Sequence, residues 1–214
     1  MRIGIFGGTF NPPHKGHKKL ALEMKNKADL DSILIIPTFT PPHKEGKDLA
    51  SGEHRIRMCE MMFAEEFFTV SDMEINRQGK SFTYDTLLEL KRKFLDDELF
   101  LIIGSDMLLS FHTWFRYEDI LSMVTLCVAT REDKVAYDEL ITYSEKVLRL
   151  TESEIIIADI EPYECSSTDV RNQLSLGSDV SIMTGREIFD YVRLNLIYES
   201  PFMEYKRLLR EKLD

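Results

Sequence analysis

Two histidines three residues apart, His14 and His17, follow a pair of glycines, Gly7 and Gly8, and a pair of prolines, Pro12 and Pro13. Arg2 to Phe6 is a short apolar run of strand character, so the order reads strand, bent loop, helix start near Lys15. Each residue type in this run has a physical use. The glycines let backbone N–H groups approach a ligand and permit φ values that other residues resist, while the prolines keep the chain out of helix before His14. A helix opening near Lys15 turns unpaired N–H groups and its positive dipole end toward the loop, which favours an anion. At a spacing of three, the two imidazoles share one helical face and can donate hydrogen bonds into the same phosphate-sized space. The chemistry on offer is phosphate binding.

A second candidate grip lies near position 170, in Cys165-Ser166-Ser167-Thr168-Asp169-Val170-Arg171. Its hydroxyls suit a helix N-terminus, and Arg171, one turn in, adds a permanently charged guanidinium. An ordinary capped helix would read the same way. Composition narrows the field of ligands. With 214 residues and a net charge of −10, the chain can bury a sizeable core but lacks the basic footprint of a nucleic-acid binder. Positive charge gathers near His14, His43-Lys44, Arg55-Arg57 and Arg171, as a small anionic substrate requires. Cys59, Cys127 and Cys165 form no pair spacing, which argues against a disulfide framework or structural zinc and fits a reducing cytoplasm. No signal-like leader and no apolar run of bilayer length is apparent, so a soluble intracellular protein that binds no membrane is expected.

The elements that must position these groups alternate along the chain. Lys18 to Lys27 continues the first helix. Ser32 to Pro37 is a fully apolar strand of the parallel, doubly covered kind, so the first three elements form a βαβ unit. The loop Pro37-Thr38-Phe39-Thr40-Pro41-Pro42-His43-Lys44 leaves that strand at its carboxyl end, the ligand edge of an open α/β sheet. Ser51 to Phe63 reads as a helix, with Arg55 and Arg57 on its solvated side. A short strand at Phe67 to Ser71, a turn at Arg77 to Lys80 and a helix from about Ser81 to Phe94 follow. Thr83 and Asp85 suit the cap of that helix. Leu99 to Ile103 is a fourth strand, and Gly104-Ser105-Asp106 at its end either contacts ribose hydroxyls or caps a helix over Met107 to Phe111. Trp114, the only tryptophan, sits among His112, Thr113 and Arg116, where an exposed indole calls for a flat partner. Strands at Thr125 to Thr130 and Glu154 to Ala158 flank a helix at Asp138 to Leu150. Arg131 either reaches the site or belongs to a solvated loop. Helices at Arg186 to Asn195 and Pro201 to Leu213 close the chain, with Ile188, Val192, Leu196 and Ile197 turned toward the sheet.

Gly7-Gly8-Thr9-Phe10-Asn11-Pro12, His14-Lys15-Gly16-His17 and Ser166-Ser167-Thr168-Asp169-Val170-Arg171 together resemble the two signatures of the HxGH nucleotidylyltransferase superfamily. Pro41-Pro42-His43-Lys44, Ser81-Phe82-Thr83-Tyr84-Asp85-Thr86 and the run from Gly104 to Tyr117 resemble its nicotinate-nucleotide adenylyltransferase branch. The resemblance spans nearly the whole chain and implies an α/β, Rossmann-like fold: an open, mostly parallel sheet with helices on both faces, in a single domain over 1–214 whose C-terminal helices begin at about 165. It implies ATP and nicotinate mononucleotide as substrates, Mg²⁺ carried in with ATP rather than on metal ligands of the protein, and leaves a homo-oligomer open. Carried over residue by residue, His14, His17, Lys44 and Arg171 would act on the phosphates. Gly7, Gly8, Thr9, Phe10, Gly104, Asp106, Ser166, Ser167 and Thr168 would hold ATP, and Thr83, Trp114 and His43 the mononucleotide, with Trp114 against the pyridine ring. Asn11 departs from the aspartate of many relatives, with little consequence expected because both side chains can accept in the turn. The alternatives are another small-molecule adenylyltransferase, acting on nicotinamide mononucleotide or phosphopantetheine, and a non-catalytic nucleotide-binding module.

Overall fold

The computed structural model describes residues 1–40, 49–130, 137–151, 154–161 and 163–198. Six strands form one sheet: β1 (Arg2–Gly8), β2 (Ser32–Pro37), β3 (Phe68–Val70), β4 (Glu98–Gly104), β5 (Thr125–Thr130) and β6 (Ile155–Asp159). Every pairing is parallel and the spatial order is β3-β2-β1-β4-β5-β6. This is the doubly wound order in which the chain leaves β1 toward one edge and β4 toward the other, opening a crevice at their carboxyl ends.

Period-two alternation in the strands splits the apolar residues between two cores. On one face Phe6, Ile33, Ile35, Phe100, Ile102, Cys127 and Ala129 meet helices α1 (Lys15–Lys27), α2 (Gly52–Met62), α8 (Ser167–Ser175) and α10 (Arg186–Leu194). On the other, Ile3, Ile5, Leu34, Ile36, Leu99, Leu101, Leu126 and Val128 meet α4 (Thr83–Lys93), α5 (Ser105–Leu108), the 3₁₀ turn Phe111–Thr113, α6 (Tyr117–Met123) and α7 (Tyr137–Lys146). Because both faces of the sheet are covered, the inner strands are mainly apolar and buried, as in Ser32–Pro37 and Thr125–Thr130.

Several local expectations give way. Met73–Arg77 is a short helix, α3, where only a turn was expected from Arg77 onward, and Ser181–Thr184 forms another, α9. The helix expected over Met107 to Phe111 is instead α5 followed by the 3₁₀ turn, and α7 ends at Lys146. Phe82 holds the cap position of α4 with no side-chain cap bond, so Thr83 and Asp85 lie in its first turn and neither caps it. Gly104, not Asp106, precedes α5. Ile188, Val192 and Ile197 are buried. The helix expected over Pro201 to Leu213 lies outside the described residues. No helix among them is long and apolar enough to cross a membrane.

Candidate active site

The crevice between β1 and β4 is built first by the segment joining β1 to α1. Gly7 and Gly8 belong to the strand itself, and neither takes a left-handed φ. Their value is space rather than conformational freedom: nothing stands within 4 Å of a Cβ placed on Gly7, whereas one on Gly8 would press within 3.0 Å of the Phe10 ring. The left-handed residue is Phe10, with φ of 46°. Its ring is 1 % exposed and lies edge-on to His17 at 5.1 Å. Phe10 therefore faces the core, and only its backbone looks toward the loop.

His14 is the N-cap of α1, extended at φ −143° and ψ 168°, and only 5 % exposed. Its backbone N–H donates to His17 Nδ1 at 3.1 Å, and the two rings lie 3.8 Å apart, centre to centre. A nitrogen that accepts carries no proton, so in neutral His17 the N–H sits on Nε2. The first turn of α1 holds no acidic residue, leaving its dipole end open to an anion.

The second grip docks on the same loop. Arg171 Nη1 donates to Asn11 O at 2.8 Å and its Nη2 to Thr168 Oγ1 at 3.2 Å, while Ser167 Oγ donates to Pro12 O at 2.8 Å. Of the five guanidinium N–H groups, these bonds use two. Ser166 is the N-cap of α8: its Oγ accepts from Asp169 N–H at 3.1 Å, and its backbone N–H donates to Asp169 Oδ2 at 3.0 Å. Ser166 Oγ also donates to Asp169 Oδ2 at 2.5 Å, and this bond first, then the one from the Ser166 backbone, holds the Asp169 carboxyl below its usual range. The segment just ahead of His14 and residues 167–171 are thus joined, although 155 and 160 positions separate the bonded residues in the chain.

At the end of β4 the Asp106 side chain folds back so far that a Cβ on Gly104 would meet its Oδ1 at 2.5 Å. On the flank of β5 and β6, a cavity lined by His14, Lys19, Thr130, Ile160 and Cys165 opens beside the histidine pair. Burial, and then the charge of Asp169, push the Cys165 thiol up to about 11.

Beyond the end of β4, the start of α4 meets the segment after the 3₁₀ turn. Phe82 and Phe115 rings lie 5.1 Å apart, and the Arg116 guanidinium sits over Tyr84 at 4.2 Å while donating to its hydroxyl at 2.7 Å. Trp114 is half-buried and stacks on Phe111 with centroids 4.7 Å apart. Thr83 and Trp114 therefore occupy neighbouring segments of one aromatic wall. His43 and Lys44 lie outside the described residues, as does Arg131.

One assignment is reversed. Arg55, expected on the solvated side of α2, is 1 % exposed, and its guanidinium donates to four backbone carbonyls: Ala50 O at 3.0 Å, Thr9 O at 3.0 Å, Thr38 O at 2.6 Å and Phe39 O at 3.3 Å. Its spacing from Cys59 and Met62, at i+4 and i+7, was the available signal of an inward position. Asn11 is also more than a turn residue. Its Oδ1 accepts from Ala50 N–H at 3.0 Å and from the Tyr198 hydroxyl at 2.6 Å. Tyr198 carries no local pattern that marks it.

Two helix N-termini at the switch point of a parallel sheet suit an anionic ligand, and a family model described as cytidylyltransferase-like, a nucleotidyltransferase class, matches residues 5–173. A probable nicotinate-nucleotide adenylyltransferase of Fusobacterium nucleatum is 37 % identical over 190 residues, 88 % of this chain and 95 % of that one. The nicotinate-nucleotide adenylyltransferase of Bacillus subtilis is 32 % identical over 200 residues, 93 % and 99 % of the two chains. The chain belongs to this family of nicotinate-nucleotide adenylyltransferases, within the cytidylyltransferase-like family. Its fold is shared with a nicotinic acid mononucleotide adenylyltransferase of Plasmodium falciparum solved with APC and with NaAD, at TM-scores of 0.73 and 0.72, 16 % identity and 92 % coverage of this chain, against 96 % and 97 % of the solved ones.

Proposed function

We propose that the protein transfers the adenylyl group of ATP to nicotinate mononucleotide, giving deamido-NAD and pyrophosphate, and that the converged loop is where the triphosphate is held. The observation that carries this reading is the docking of Arg171 and Ser167 on the carbonyls of Asn11 and Pro12, two to three residues ahead of His14. A single anion reaching this loop meets the imidazoles, the end of α1 and the Arg171 guanidinium together.

In this reading a phosphate oxygen of the mononucleotide attacks the α-phosphorus of ATP, forming one P–O bond as the bond to the bridging α–β oxygen breaks. That phosphate is largely ionised at neutral pH, its second pKa being near 6, so no general base is needed. The work left to the protein is alignment and charge stabilisation. His14 and His17 hold the α- and β-phosphates, Arg171 and Lys44 the departing pyrophosphate. Backbone at Gly7, Gly8, Thr9 and Phe10, with Ser166, Ser167 and Thr168, closes around the chain of phosphates, and Asp106 takes ribose hydroxyls. Thr83, His43 and Trp114 receive the mononucleotide, Trp114 on its ring. A magnesium ion carried in with ATP would supply charge neutralisation at the phosphates. The described residues include no group of three or more His, Cys, Asp and Glu side chains able to hold an ion. The reading takes 1–214 as one nucleotidylyltransferase domain and places it in the cytoplasm, where its free thiols stay reduced.

The test is pyrophosphate release from ATP with nicotinate mononucleotide, nicotinamide mononucleotide and phosphopantetheine compared at equal concentration. Release fastest with nicotinate mononucleotide is expected. No release with any of the three, or faster release with phosphopantetheine, would defeat the proposal.

A further inference from the structure

We infer that Arg55 is a positioning residue that holds the triphosphate half and the mononucleotide half of the site in register. The inference rests on the reaction proposed above. A fully buried guanidinium normally has a carboxylate partner, because an isolated charge is costly to desolvate. Among the described residues Arg55 has none: its partners are the four carbonyls named above. Burial accordingly lowers its pKa from the ordinary arginine value. A buried cation spent only on main-chain oxygens fixes backbone, and the backbone it fixes is that of both ligand-edge loops.

One branch of the frame runs to the phosphates. Thr9 O is gripped at 3.0 Å, the next residue is the left-handed Phe10, and the Phe10 ring supports His17 edge-on. The other branch runs to the mononucleotide. Thr38 O and Phe39 O are gripped by the same guanidinium. Phe39 N–H then donates to Ser81 Oγ at 2.9 Å, and Ser81 N–H to Thr40 O at 3.1 Å, two residues ahead of Thr83. Thr38 N–H also donates to Gly8 O at 2.9 Å, so the two loops are tied at their roots. Lysine cannot reproduce this: a single ammonium lacks the planar fork that reaches Thr9 and Thr38 from one nitrogen and Phe39 from another.

The experiment compares Arg55→Lys, which keeps the charge, and Arg55→Gln, which keeps two amide donors and removes the charge, with wild type that has first been shown to release pyrophosphate. Failure of that control bears on the reaction, not on Arg55. Turnover is measured at saturating substrates, and the Kd of each substrate alone by calorimetric titration. A misplacement of about 1 Å between reacting groups costs roughly a hundredfold in rate, so kcat is expected to fall by about that factor while each Kd moves less than threefold. A kcat within threefold of wild type in a folded variant overturns the inference. So does a loss shared in proportion by kcat and both Kd values, which marks a merely structural residue, and so does failure of both variants to fold.

Discussion

Replacing Gly104 by alanine isolates one side chain of the proposed ATP site. Gly104 has φ −82° and ψ 161°, a region any residue adopts, so the added methyl strains no backbone. What it meets is Asp106 Oδ1, 2.5 Å away. Asp106 is exposed, and its carboxylate can swing clear with a stability change of about 0.5 kcal/mol or less, as for other surface substitutions. The cost falls on whatever the carboxylate was placed to hold. If it accepts ribose hydroxyls, a hydrogen bond to a charged group worth about 1.5–3 kcal/mol is lost, which is roughly a 10- to 150-fold rise in Kd at about 1.4 kcal/mol per decade. Calorimetric titration with a non-hydrolysable ATP analogue, beside a thermal melt, measures both quantities. Asp106→Ala should weaken binding by the same factor, and the double variant no further, since both remove one interaction. Unchanged affinity in either single variant would refute the reasoning. A double variant weaker by the product of the two would show that the methyl collides with the nucleotide itself.

Other substitutions reach the remaining groups. His17→Ala should lower kcat by several orders of magnitude while the circular dichroism spectrum is retained; one lost transition-state donor is worth about two to three decades, and the backbone N–H of His14 also loses its acceptor. Trp114→Ala should raise the KM for the mononucleotide and leave that for ATP unchanged, with some loss of thermal midpoint because the indole also packs on Phe111. With its pKa pushed up to about 11, Cys165 should be alkylated slowly at pH 7 and about tenfold faster per pH unit up to pH 10; mass spectrometry after timed iodoacetamide treatment reads the rate, and ATP should slow it if the adjoining cavity takes part of the nucleotide. Glu74 is buried beneath Thr86, whose hydroxyl donates to it at 2.5 Å, and burial raises its pKa above the ordinary carboxylate value. The folded state then binds the proton more tightly than the unfolded one, so stability falls as pH rises through the interval between the two values and stays lower above it. Glu74→Gln, which keeps an acceptor for Thr86, should flatten that part of the melting temperature against pH; an unaltered profile would exclude Glu74 as its source.

The features legible in the sequence are those written in local spacing. Unbroken apolar runs such as Ser32–Pro37 are what a parallel strand covered on both faces demands, and the inner strands lie where such runs occur, whereas β3 is a three-residue strand with an exposed Thr69. The His14–His17 spacing, with Pro12 and Pro13 ahead of it, sets a helix start to the residue. Short elements escaped: α3 has only five residues and ends against the left-handed Gln78, too brief for any period to register. What no local pattern holds is the tertiary fastening of the site. Tyr198 reaches Asn11 across 187 positions. Arg55 looked like half of a charged surface pair with Arg57, yet it turns inward because carbonyls from three separate segments meet beside α2. The glycines were legible as a place of close approach, whereas the unusual backbone angle fell on Phe10.

The central claim is that donors from residues 14–17 and from Arg171 act on one triphosphate. A crystal structure with a non-hydrolysable ATP analogue tests it most directly. The account predicts His17 Nε2 and an Arg171 guanidinium nitrogen each within hydrogen-bonding distance, about 2.7–3.2 Å, of phosphate oxygens of the same analogue molecule. A triphosphate bound by one of these groups with the other turned away, or bound elsewhere on the sheet edge, would contradict it.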